Sequence, residues 1–361
     1  MDLHIVGGFL GSGKTTAIIG AAKLLMAQGK QVGVVTNDQG RYLVDTAFFR
    51  SEAVPTVEVT GGCFCCNYSD LDAQLAQLER TAQPDVIFAE SVGSCADIVA
   101  TVVKPLLALR RPDLGAPTSF TVFADARLLR RRLLGQPMPF SDDVVYVFDK
   151  QIEEAGLLVV NKEDLLPDGA VQTLAALLGA RFPDKRAHFQ NSLVAEGVAG
   201  WLEMLISGEA TAPGQALDID YARYGAGEAA LAWLDERLVF EVPEGTGRAL
   251  LQRFFALLLS DLRREGLAVG HLKFLVESDG VEAKVSFPTL VEEDWQTAIP
   301  ELPGARVALF VNARVEAEPS HLRDLVQEAA TAAALEGSAT VAISDVAAFH
   351  PGLPLPTYRM T

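Results

Sequence analysis

Residues 7–16 read GGFLGSGKTT, and within them Gly8 to Thr15 form a G-x-x-x-x-G-K-T. The stretch follows an apolar run, LHIVGGF (3–9), and leads into a helical pattern, the context this motif requires. Glycines at these spacings let backbone N–H groups turn inward and cradle phosphate oxygens, while a helix N-terminus adds a favourable dipole. Gly8, Gly11, Ser12, Gly13, Lys14, Thr15 and Thr16 are therefore the expected phosphate-binding residues. Lys14 is expected to reach the β- and γ-phosphates as the catalytic cation, and the Thr15 hydroxyl to ligate Mg²⁺.

The rest of the first half agrees with that constraint. Strand candidates recur at QVGVVTN (31–37), TVEVT (56–60), DVIFAE (85–90), SFTVFAD (119–125) and GLLVVNK (156–162), separated by amphipathic stretches such as 70–82 and 170–182. Near-continuous apolar strands alternating with helices predict an α/β fold, a P-loop NTPase domain with a mostly parallel sheet covered on both faces. Small and turn-forming residues break the rhythm after residue 206, so the expected division is a nucleotide domain at 1–207, a linker at 208–228 and a second domain at 229–361. In that second part, strand candidates at 236–242, GHLKFLVES, VEAKVSF and ARVALFVNARV accompany helices at 247–266 and 320–337. The order predicts a smaller α+β domain, an antiparallel sheet with helices on one face.

At 361 residues two domains are the first expectation, and a 49% hydrophobic fraction suffices for packed cores. A formal net charge of −17 has the wrong sign for a nucleic-acid or anionic-membrane binder. Arg127, Arg130, Arg131 and Arg132 read as a solvated helix face. The start, MDLHIVGGF, has no basic or long apolar leader, and no run of about 18 apolar residues exists to cross a membrane. The expected location is the cytoplasm, where thiols stay reduced.

Residues 159–164, VVNKED, end a strand candidate with Asn161, Lys162 and Asp164 in an N-K-x-D. An Asp164 carboxylate can accept from both the ring N–H and the exocyclic amine of guanine, donors that adenine lacks there, so GTP is the expected nucleotide. Asn161 is expected to tie this loop to the phosphate loop, and Lys162 to lie over the base. Glu90 in FAESVG, ending another strand, is expected to hold the Mg²⁺ shell or its water, with Gly93 sensing the γ-phosphate. The polar segment 37–45 is a second candidate switch, with Asp38 and Asp45 as possible metal-linked carboxylates.

Three of the four cysteines crowd into GGCFCC (61–66): Cys63, Cys65 and Cys66. A disulfide, a redox switch and a soft-metal site compete. A reducing compartment disfavours the first, and adjacent thiolates bind Zn²⁺, Cu⁺ or Co²⁺. Without a second C-x-x-C the site is expected to be open rather than closed. Cys95, in VGSCAD, reads as a buried cysteine capping a helix, and His271 as a hydrogen-bonded sheet residue.

Taken in order, GGFLGSGKTT, GGCFCC, ESVG and NKED resemble the CobW-type metallochaperone GTPases, a group with cobalamin-biosynthesis, nitrile-hydratase-activator and zinc-chaperone members. The resemblance covers residues 1 to about 200, and G-C-x-C-C is its most specific mark. It implies a GTPase that binds Zn²⁺ or Co²⁺ at the cysteines and passes it to a client metalloprotein or corrinoid protein. Cys65 and Cys66 carry over as the first ligands, with Cys63 and Asp38 as further ones; Asp38 stands where the family usually has a glutamate. The second half differs from the family's usual C-terminal domain, no histidine-rich loop is present, and Cys95 is not ordinarily carried. A nucleotide-binding metal or redox sensor without delivery, and a P-loop kinase, are the alternatives.

Overall fold

The computed structural model describes residues 1–37, 46, 49–50, 52–110, 118–291 and 294–361. They form two compact units: the described residues before Ala229 together with Leu353–Thr361, and Ala229–Gly352.

The first unit is built on strands β1 (Asp2–Gly8), β2 (Val32–Asn37), β3 (Thr56–Val59), β4 (Val86–Glu90), β5 (Thr118–Asp125), β6 (Leu157–Asn161) and β7 (Arg186–Gln190). They form one seven-stranded sheet in the order β3-β2-β4-β1-β5-β6-β7. Every pairing in it is parallel. This is the P-loop NTPase arrangement that the sequence predicts. The central strands are buried along nearly their whole length, as parallel strands covered by helices must be. Register then aligns their carboxyl ends: Val6 faces Glu90, Gly8 faces Phe123 and Asp125 faces Asn161. Ligands of open α/β sheets bind at that edge. On one face Trp201, from the helix Ala195–Ile206, packs against Phe88 and Phe123, with helix α1 (Lys14–Ala27) contributing Ala17, Ile18 and Ala21 to the same core.

β7 has no counterpart among the strand candidates. Its sequence RAHFQ is short and polar because it lies at an edge, where one side of the ladder stays open and its burial is partial. The span 208–228, expected as a linker, carries most of a helix, Tyr221–Ala230, whose Tyr224 and Glu228 are fully buried within the first unit.

The second unit has strands β8 (Leu231–Glu241), β9 (Val269–Ser278), β10 (Val281–Pro288), β11 (Arg306–Glu316) and β12 (Thr340–Phe349) in the order β10-β9-β11-β8-β12. All neighbours are antiparallel. Helices Gly247–Arg264 and Pro319–Glu336 share one core with the sheet, centred on Phe254, Phe255, Phe274 and Phe287. β12 was not among the strand candidates; it is a half-exposed edge strand with little apolar contrast. His271 is a hydrogen-bonded sheet residue, its Nε2 lying 2.8 Å from Asn312 Oδ1. The segment Leu353–Thr361, which the sequence places with the second half, belongs to the first unit.

Candidate nucleotide and metal site

The turn from β1 into α1 is a glycine structure. Gly8, Gly11 and Gly13 have φ of 126°, 69° and 94°, a region that side-chain-bearing residues avoid. At two of them space forbids a Cβ as well. One on Gly8 would lie 2.2 Å from the Phe123 carbonyl oxygen, and one on Gly13 2.3 Å from Asn161 Nδ2. Lys14, buried, donates from Nζ to Gly8 O at 2.8 Å and Phe9 O at 3.4 Å. Ser12 is buried, and Thr16 is the third residue of α1, partly exposed.

The remaining predicted residues converge on this loop. Asn161 Nδ2 donates to Ser12 O at 2.8 Å, while its Oδ1 accepts from Ser192 N at 3.0 Å and Ser192 Oγ at 2.8 Å. Lys162 takes a left-handed backbone conformation, donates from Nζ to Gly11 O at 2.6 Å and pairs with Asp125 Oδ2 at 3.1 Å. Asp164 is exposed on the single turn Glu163–Leu165. Thr15 Oγ1 donates to Glu90 Oε1 at 2.9 Å across the β1–β4 junction. Hydroxyl and carboxylate oxygens so close are hard donors of the kind Mg²⁺ prefers. Gly93 packs on the loop: a Cβ there would lie 3.0 Å from the Leu10 nitrogen.

Asp125, at the end of β5, was missed. Burial alone would raise its carboxyl, but hydrogen bonds from Arg127 and the charge of Lys162 hold it below the usual carboxylate range. Arg127 thus leaves the solvated basic face expected for it and joins the site's edge. Arg132, in contrast, makes a partly exposed pair with Asp149 at 2.6 Å.

The cysteines sit on the loop that links β3 to the helix Tyr68–Thr81. Asn37, the last residue of β2, organises it: Nδ2 donates to Gly62 O at 2.7 Å and Oδ1 accepts from Phe64 N at 2.8 Å. Asn37 too was missed, although its place just before the candidate switch was a usable signal. A turn follows in which Cys63 O accepts from Cys66 N at 3.1 Å and Asn67 N at 2.9 Å. The result is that the sulfurs of Cys63, Cys65 and Cys66 all lie within 4.8 Å of one another. Cys63 and Cys66 sulfurs are 3.3 Å apart, and those of Cys65 and Cys66 3.7 Å. All four cysteines are free thiols. Hydrogen bonds from Cys65, Cys66 and Cys95 hold the Cys63 thiol well below its usual range. The hydrogen bond and proximity to that first thiolate push Cys66 up to about 11 and raise Cys65 far above its ordinary value. A cation held by these sulfurs would displace the remaining thiol protons. Asp38 and Asp45 lie outside the described residues.

The segment Leu353–Thr361 closes over this loop. Thr357 donates from N to Cys65 O at 2.8 Å and from Oγ1 to Cys66 O at 2.9 Å. Tyr358 meets Tyr68 edge to face, and Arg359 pairs with the buried Asp97 at 2.7 Å. Nothing in the local sequence of 353–361 signals this, since only the tertiary fold brings it there.

Sheet, loop and side-chain geometry together define a P-loop nucleotide-binding domain with a cluster of thiols beside it. A family model described as CobW/HypB/UreG, nucleotide-binding domain, matches residues 2–187, and the chain belongs to that family. It is 28% identical over 202 residues to a zinc chaperone CobW of Sinorhizobium sp, covering 49% of this chain and 55% of that protein. To the zinc chaperone YeiR of Escherichia coli (strain K12) it is 29% identical over 180 residues, 47% of this chain and 49% of the relative. The chain thus spans about half the length of these curated relatives. Among solved structures, HypB from Helicobacter pylori in complex with nickel aligns with 60% of this chain and 92% of its own at 15% identity, with a TM-score of 0.43. No helix among the described residues is long and apolar enough to cross a membrane.

Proposed function

We propose that the protein is a GTP-hydrolysing metallochaperone, which binds a transition-metal ion at Cys63, Cys65 and Cys66 and delivers it to a client metalloprotein. The observation that carries this reading is the convergence of three thiols within 4.8 Å, on a loop held by the end of β2, in a domain whose phosphate loop is complete. The relatives named as zinc chaperones favour zinc as the cargo, and thiolates suit it. In this reading Gly8, Gly11, Ser12, Gly13 and Thr16 line the phosphates, and Asn161 braces the loop. Asp164, exposed beside them, selects guanine. Thr15 and Glu90 hold the Mg²⁺ shell, and Mg²⁺ when bound neutralises phosphate charge. Lys14 is the cation for the γ-phosphate, released from Gly8 O and Phe9 O to do so.

Gly93, packed against Leu10, senses the γ-phosphate, so the strand that ends in Glu90 leads directly into the segment that responds to nucleotide state. Metal affinity and nucleotide state are then coupled, with a factor of about 5 to 150. The test is a competitive Zn²⁺ titration with a non-hydrolysable GTP analogue and then with GDP. Equal affinities refute nucleotide-gated delivery. Loss of Co²⁺ charge-transfer absorption in Cys65→Ser/Cys66→Ser supports the metal site, and an unchanged spectrum rejects it.

A further inference from the structure

We propose that Thr357 and Arg359 are positioning residues of a clasp, residues 357–360, which ties the cysteine loop to the segment following Glu90 and so passes nucleotide state to the thiols. This rests on the reading of that segment as nucleotide-responsive and of the loop as a metal site, and it names what joins the two.

Consecutive residues of the clasp reach both places. At one end Thr357 donates from N to Cys65 O at 2.8 Å and from Oγ1 to Cys66 O at 2.9 Å. Tyr358 meets Tyr68, the first residue of the helix after the loop, edge to face with ring centroids 5.2 Å apart. At the other end Arg359 Nε donates to Asp97 Oδ2 at 2.7 Å, and Met360 N donates to Ala100 O at 2.8 Å. Asp97 stands seven residues after Glu90, whose Oε1 accepts from Thr15 Oγ1 at 2.9 Å. The sheet does not bridge this distance by itself. The cysteine loop follows β3, Glu90 ends β4, and β2 lies between those strands.

The two ends of the clasp are held unequally. Asp97 is fully buried, and its Oδ2 also accepts from Tyr221 Oη at 2.7 Å. Separating a buried carboxylate from its cation is costly, so Arg359 follows Asp97 when that residue moves. Arg359 Nη2 is fixed further by donating to Leu217 O at 2.9 Å. Thr357, in contrast, is exposed, and its two bonds exchange with water at little cost. Pro354 and Pro356 favour an extended approach, so docking the clasp orders little extra chain. Clasp docked and clasp released are therefore two discrete arrangements, the kind of element that coupling between sites requires. Release leaves the carbonyls of Cys65 and Cys66 without these donors, and the half-buried Cys66 is the thiol at which the change is read.

The experiment is alkylation of Cys66 by iodoacetamide in the metal-free full chain, followed by peptide mass spectrometry, with a non-hydrolysable GTP analogue and then with GDP. Wild-type rates should differ between the nucleotides by at least about fivefold, the low end of usual coupling. In Arg359→Gln the ratio should fall close to unity. In Thr357→Val it should fall part of the way, while Thr357→Ser, which keeps the hydroxyl, should retain it. A segment that merely packs on the loop would raise the rate equally with both nucleotides in these variants and leave the ratio unchanged, which overturns the inference. Thr357 is exposed, so Thr357→Val decides the matter even if Arg359→Gln folds poorly. Equal wild-type rates with the two nucleotides also overturn it. A Zn²⁺ affinity that depends on nucleotide as strongly in Arg359→Gln as in the wild type overturns the clasp alone and leaves nucleotide-gated delivery standing. No metal enters the alkylation, so its outcome is separate from that of the Co²⁺ spectrum of Cys65→Ser/Cys66→Ser, on which the metal site depends.

Discussion

Gly13→Ala probes the contact on which the phosphate loop depends. Two costs add. A left-handed φ of 94° with a Cβ costs about 1–2 kcal/mol, less about 0.4–1 kcal/mol recovered from the stiffer unfolded chain. The new methyl also stands 2.3 Å from Asn161 Nδ2 and must drive that carboxamide away. Asn161 then loses its bonds to Ser12 O, Ser192 N and Ser192 Oγ, each worth about 0.5–1.5 kcal/mol net. Gly29→Ala is the matched control: φ is 82°, and nothing lies within 4 Å of its added Cβ. Gly13→Ala should therefore cost on the order of 2–4 kcal/mol more than Gly29→Ala, the whole difference arising at Asn161. Urea titration measures the cost, and hydrogen exchange at the Ser192 amide reports the broken bond directly. Adding Asn161→Ala removes the clash, so the double variant should lose less than the sum of the two. Equal destabilisation by Gly13→Ala and Gly29→Ala, with Ser192 still protected, would refute the brace between the two loops.

Three further outcomes are expected. Asp164→Asn should weaken GTP at least about tenfold while leaving ATP unchanged, and calorimetry showing equal wild-type affinity for GTP and ATP rejects the guanine assignment. Burial raises the Glu154 carboxyl to about 8 from 4.5, so between those values the folded chain keeps a proton that the unfolded chain releases. Stability contributed by this group is therefore full below pH 4.5 and falls as pH rises towards 8; Glu154→Gln should flatten that slope, and an unaltered pH profile of urea midpoints counts against it. Arg359→Ala removes the cationic partner of the buried Asp97, leaving the Tyr221 hydroxyl on Oδ2, and should cost about 2–3 kcal/mol, below the 3–5 of a fully buried pair because the guanidinium is partly exposed. A cost under about 0.5 kcal/mol would mean that the segment 353–361 is not anchored there.

Much of this was legible in the chain itself, for a physical reason. Each motif is local: the phosphate loop needs glycines at fixed offsets between a strand and a helix, and buried parallel strands must be apolar throughout, so both leave a continuous signature. The same holds for Cys63, Cys65 and Cys66, whose crowding needs only a short turn to become a cluster. Edge strands such as RAHFQ escaped because half their surface faces water and no apolar alternation is enforced. Long-range partners were silent for a different reason. Asn37 and Thr357 grip backbone atoms of the cysteine loop, which every residue possesses, so the loop's own residue types do not announce the contact. Asp125 finds Lys162 only because β5 and β6 are paired in register. The sequence by itself determined which residue types stand ready for phosphate and metal; only the order of strands in the sheet decided that Glu90 would arrive beside Thr15.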